Sequence, residues 1–116
     1  RDFFIVSSPY WRSVRRRTLN VDAAILGEVY NIKGQVQQIF EQAEASLATV
    51  DSDNSRILSV TIYLTDFANM EGLNEVWDAY FPEDCAPSRA CVKAELANPG
   101  YLVEMAFTAA AGEKFL

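Results

Sequence analysis

Three residues carry side chains that could bind or transform a small molecule: Arg89, Cys91 and Glu104. Arg89 and Cys91 stand in the stretch Ala86-Pro87-Ser88-Arg89-Ala90-Cys91-Val92, and Glu104 stands in the apolar run from Tyr101 to Phe107. Pro87 ends a loop, and the residues after it alternate as a strand does. Arg89, Cys91, Lys93 and Glu95 then share one face, and Ala90, Val92, Ala94 and Leu96 share the other. The second set is uniformly apolar and is expected to face the core. Arg89 is therefore expected to point away from the core, toward solvent, another subunit or an anion. A cysteine nucleophile needs a base to activate it, and the 116-residue chain contains no histidine. Cys91 therefore reads as a wall rather than an attacking group. Glu104 has two readings: a catalytic carboxylate, or half of a cross-strand ion pair with Lys93.

Composition narrows the classes. A chain of 116 residues is expected to form a single domain over 1–116, and 50% apolar residues suffice for a core. A chain this short also gains from burying a face in an oligomer. The formal net charge of -6 argues against nucleic acid and anionic membranes as partners, because most of the surface repels both. Absence of histidine removes Ser-His and Cys-His pairs and the usual zinc sites, so no metal is expected. No cofactor is expected either. Cys85 and Cys91 flank Pro87 and read as reduced thiols of a cytoplasmic protein. No segment has the length of a membrane span.

These residues must be positioned by a framework that is legible in part. Residues 3–6 are apolar and β-prone, while 11–25 is mixed, with Val14, Leu19 and Val21 interrupted by Arg15-Arg16-Arg17. That basic run reads as a charged strand edge rather than a phosphate contact. Ile32, Val36, Ile39, Phe40, Ala43, Leu47 and Val50 recur at helical spacing and predict an amphipathic helix over about 31–49. Residues 58–64 alternate as a strand, with Val60, Ile62 and Leu64 on one side. A second helix is predicted after Asp66, capped by Asn69 and closed by Pro82, with Met70, Leu73, Val76, Trp77, Tyr80 and Phe81 as its core stripe. Strands at 88–96 and 101–110 flank Asn98-Pro99-Gly100 and predict a hairpin. Gln35 reads as a surface or interface residue. The sum is an α+β layer, two helices on one face of a mixed β-sheet, whose other face requires cover.

Three blocks together resemble the Rid (YjgF-type) family, the reactive intermediate deaminases. They are Ser52-Asp53-Asn54-Ser55-Arg56-Ile57-Leu58 leading into Thr61-Ile62-Tyr63-Leu64-Thr65-Asp66; Asn74-Glu75-Val76-Trp77-Asp78-Ala79-Tyr80-Phe81; and the Arg89 block with Val103-Glu104-Met105. The similarity runs over residues 32–110, and the turn Ala97-Asn98-Pro99-Gly100-Tyr101 looks like the YoaB-like branch. The resemblance implies a chorismate-mutase-like fold and a homotrimer with ligand clefts between subunits. It implies hydrolysis of enamines and imines such as 2-aminoacrylate to 2-keto acids and ammonia. Arg89 would then bind the substrate carboxylate, Cys91 would line the pocket, and Glu104 would orient the attacking water. Tyr10, in the loosely matching Ser8-Pro9-Tyr10-Trp11, would supply an aromatic wall. The alternative is a non-catalytic trimeric binder or sensor of small carboxylate metabolites; a ribonuclease activity, ascribed to some relatives, fits poorly with the charge and the missing histidine. The chain departs from the family at its front, where no Ser-Gly-Gln-like turn precedes the first helix.

Overall fold

Hydrophobic alternation in two central strands organises the molecule. The computed structural model describes residues 4–7, 18–24, 31–97 and 99–110. Its elements are β1 (Phe4–Ser7), β2 (Thr18–Ala24), α1 (Ile32–Ala48), β3 (Ile57–Leu64), α2 (Met70–Tyr80), β4 (Ser88–Lys93) and β5 (Val103–Ala110). The sheet order is β1-β2-β5-β3-β4, with β1–β2 and β3–β4 parallel and β5 antiparallel to both its neighbours. Tyr10 and Arg15 to Arg17 lie outside the described residues. Among the described residues, no helix is long and apolar enough to cross a membrane.

Val60, Ile62 and Leu64 of β3 and Val103, Met105, Phe107 and Ala109 of β5 are buried beneath both helices. From α1 they meet Val36, Ile39, Phe40, Ala43 and Leu47; from α2, Leu73 and Trp77. The predicted α+β layer, with two helices on one face of a mixed sheet, is thus observed. Phe40 sits at its aromatic centre, stacked on Tyr80 at 4.1 Å and edge-on to Phe81 at 5.6 Å. Asn31 caps α1 by accepting from the Gly34 N–H at 2.7 Å. Asn69 does not cap α2 with its side chain. Instead Asp66 accepts from the Ala68 N–H at 2.9 Å and starts a short 3₁₀ turn that leads into the helix.

Three further expectations fail here. Strands β4 and β5 do not form a hairpin, because β3 lies between them. The residues joining them instead carry the chain from the sheet edge back past β3. Strand β4 ends at Lys93, so Glu95 is not on it. Gln35 is 1% exposed rather than a surface residue. Its amide donates to the Gly100 carbonyl at 2.9 Å and accepts from the Leu102 N–H at 2.8 Å, pinning the crossing segment onto α1. Both main-chain groups need a partner where water reaches poorly, and the side chain supplies it.

The helices approach closely where Gly72 meets Ile32: a Cβ on Gly72 would lie 2.6 Å from the Ile32 Cγ2. Isoleucine is stiff at χ1 and cannot swing that methyl aside freely. Gly72→Ala is expected to destabilise the fold by about 1 kcal/mol, overpacking outweighing the gain in helix propensity. In an Ile32→Ala background the same change should be neutral or stabilising, as read from urea midpoints. Gln35→Leu should cost about 2–3 kcal/mol in the same assay, because it strands two main-chain groups.

Candidate functional site: an arginine anchor at the sheet edge

The register of β4 on β3 decides where its side chains go. Arg89, Cys91 and Lys93 pair with Val60, Ile62 and Leu64, all three buried under the helices. Arg89 and Cys91 therefore lie on the helix side of the sheet, the reverse of the face expected from the apolar alternation. Ala90 and Val92 are on the open side, with Val92 43% exposed. The reason is positional. On an edge strand only partly roofed by α2, long charged side chains reach past the rim while their stems stay packed.

Arg89 is held rather than loose. Its guanidinium carbon lies 4.9 Å from the centroid of the Trp77 ring, and its Nη2 donates to the Asn74 Oδ1 at 2.5 Å. Both partners come from α2, one turn apart, on the flank that overhangs β4. Stacking on the indole fixes the plane of the fork, and the amide fixes its rotation. Arg89 remains exposed, so N–H donors not used by Asn74 can meet an anion. The adjoining main chain contributes as well. The Ala94 N–H donates to the Leu64 carbonyl at 2.9 Å. Alternation along a parallel ladder then turns the main-chain groups of Arg89, Cys91 and Lys93 outward from the edge. A carboxylate there would find a fixed guanidinium beside outward N–H groups.

Cys91 packs against the core and is half-buried. Burial pushes its thiol above the usual range, and the Arg89 charge pulls only partly against that. It is thus predominantly a neutral thiol near pH 7, in keeping with a wall. Glu104 lies elsewhere. On β5 it pairs with Tyr63 of β3 and Ala24 of β2, on the open face, with β3 between it and Lys93. The ion pair with Lys93 is therefore not formed within one sheet, and Arg89 and Glu104 lie on opposite faces of the same chain. Sequence reasoning missed Asn74 and gave Trp77 no role beyond the core. An Asn three residues before a Trp on one helix was the available signal, but it acquires meaning only once β4 is known to run beneath that helix.

The profile of the Endoribonuclease L-PSP family matches residues 18–111, spanning β2 to β5 and the whole arginine cluster. The chain belongs to the Endoribonuclease L-PSP family, also called Rid/YjgF. Among its relatives, a RutC family protein of Haemophilus ducreyi is 41% identical over 76 residues, 66% of this chain and 65% of that protein. The RutC family protein YoaB of Escherichia coli is 40% identical over 78 residues, 61% of this chain and 68% of that one. The match to the Haemophilus protein thus covers just under two thirds of its length. A solved YjgF protein family member from Neisseria meningitidis superposes with a TM-score of 0.84 at 27% identity, over 97% of each chain. The Rid/YjgF fold expected from the motif blocks is therefore the fold observed, and the likeness to YoaB accords with the branch suggested by the Pro99-Gly100 turn.

The thiol environment gives a pH-dependent readout. In a Cys85→Ser background, iodoacetamide alkylation of Cys91 should inflect above the roughly 8.5 of a free thiol. Replacing Arg89 with Ala removes the one positive charge that favours the thiolate, so the inflection should move higher still. A downward move would show that Arg89 does not act on this thiol.

Proposed function

We propose that the chain is an enamine/imine hydrolase that converts reactive 2-imino acids of the 2-aminoacrylate type to 2-keto acids and ammonia. The observation that carries this reading is Arg89, an exposed guanidinium fixed by Trp77 and Asn74 beside outward-facing main-chain groups. A bidentate pair with the substrate carboxylate fits that fork, and the outward N–H groups of β4 would share the anion's remaining lone pairs. The imine carbon, one bond from the carboxylate, would then be held at a fixed distance from the edge. Water adds to that C=N carbon, the resulting carbinolamine loses ammonia, and the C=O of the keto acid forms. No oxidant or protein nucleophile is needed. Cys91 serves as wall.

The opposite-face placement of Glu104 sets a requirement on assembly. One chain cannot bring Arg89 and Glu104 to one substrate, but a ring of copies can. If the open sheet face of one subunit meets the β4 edge of the next, each cleft receives Arg89 from one copy and Glu104 from its neighbour. Glu104 would there accept a proton from the attacking water. A homotrimer also covers a sheet face on which Thr61, Tyr63, Ala106 and Thr108 are only half-buried in the single chain. A binder of small carboxylates is the second reading, favoured by the fact that the anchor is complete without Glu104. The net charge of -6 and the missing histidine weigh against RNA as substrate despite the family's name.

Ammonia release from freshly generated 2-aminoacrylate tests the proposal. Arg89→Ala should fall to the buffer rate, and Glu104→Gln should lose turnover while still binding 2-keto acids. The two inactive variants, refolded together, should recover about a quarter of wild-type activity, as random mixing in a cyclic trimer rebuilds that share of clefts. Equal ammonia release by wild type, Arg89→Ala and buffer would refute the hydrolase. Keto-acid binding that needs Arg89 without any turnover would establish the binder instead.

A further inference from the structure

A second concavity lies on the far side of the helix layer. It is a groove of about 460 Å³ running between α1 and α2. Val76, Ala79 and the Phe40–Tyr80 stack give it an apolar floor, and Gln37, Glu41 and Glu44 form the α1 wall. Two cross-helix contacts bracket it: the Lys33–Glu75 ion pair at one end and the Tyr80 hydroxyl donating to the Glu44 Oε1 at 2.6 Å at the other. On α1 these braces are eleven residues apart, about 16 Å at the helical rise. The span between them is the length of a small organic molecule, and the volume lies in the range of ligand pockets.

The charge of the groove selects its occupant. Lys33 and Glu75 neutralise each other. Burial, together with the neighbouring Glu44 carboxylate that accepts its hydrogen bond, drives the Tyr80 hydroxyl strongly toward its neutral form. Glu41, one turn before Glu44, has no ion pair or side-chain hydrogen bond among the described residues. Two carboxylates thus stand over an aromatic and aliphatic floor, and among the described residues neither is paired with a cation. We infer that this groove is a binding site for an organic cation, an ammonium group on a flat apolar body. The ammonium would lie between Glu41 and Glu44, and the apolar body on Val76, Ala79 and Tyr80. The site shares no residue with the Arg89 cleft and takes a ligand of opposite charge, so it is separate from the proposed hydrolase chemistry.

The probe is phenethylammonium, titrated into the full chain and followed by amide chemical shifts, with 2-phenylethanol and phenylacetate as isosteric controls. Saturable shifts are expected at Glu41, Glu44, Val76 and Ala79, weakened by salt. Glu41→Gln should raise the dissociation constant about fivefold. Ala79→Phe, at an exposed position that tolerates bulk, should fill the groove and abolish the shifts. Three results would overturn the inference: equal binding of the alcohol or the phenylacetate, shifts centred on Asn74, Trp77 and Arg89, or binding unchanged in both variants.

Discussion

Two helices can roof one face of a five-stranded sheet and no more, and everything else in this molecule answers to that constraint. The alternation of β3 and β5 sends Val60, Ile62, Leu64, Met105 and Phe107 under the roof and sends Thr61, Tyr63, Glu104 and Ala106 to the bare side. Which side a residue occupies is a matter of parity, and a one-residue slip would reverse it. Parity therefore separates the guanidinium of Arg89 from the carboxylate of Glu104 more firmly than distance could. It also leaves a mostly small-residue face that neither helix covers.

Much of this was legible before any coordinates. The helical spacing of Ile32 to Leu47 and the period-two pattern of Val60 to Leu64 each match a single kind of element, so α1, β3 and α2 lie where expected within a residue or two. Strand β4 was harder because its apolar positions, Ala90 and Val92, do not face the chain's own core. Periodicity gives two faces but not which one the helices cover, and an edge strand only partly roofed by one helix need not turn its apolar face toward it. The supposed hairpin failed for a related reason. Two strands joined by a Pro-Gly turn look adjacent, but the register is set by long-range pairing, here the insertion of β3 between them.

The site was legible in its chemistry and not in its support. Arginine, cysteine and glutamate stand out by type. Asn74 and Trp77 do not, because an amide and an indole on an amphipathic helix serve equally well as core and as second layer. Gln35 escaped for the same reason: no local pattern shows that a glutamine on a helix will meet two main-chain groups sixty-five and sixty-seven residues away. Polar residues that satisfy distant backbone can be read only once the chain crossing is known.

The unit β3-α2-β4 is a continuous parallel strand–helix–strand segment, and it contains every side chain that fixes Arg89, the hydrogen bond to Asn74 spanning only fifteen residues. Closing so short a loop costs little chain entropy, whereas the Gln35 clamp and the central position of β5 both join segments far apart in sequence. The Arg89 cluster is thus a product of sequence-local contacts, made without any residue of β5. The strand bearing Glu104, and with it the finished sheet, depends on contacts distant in sequence.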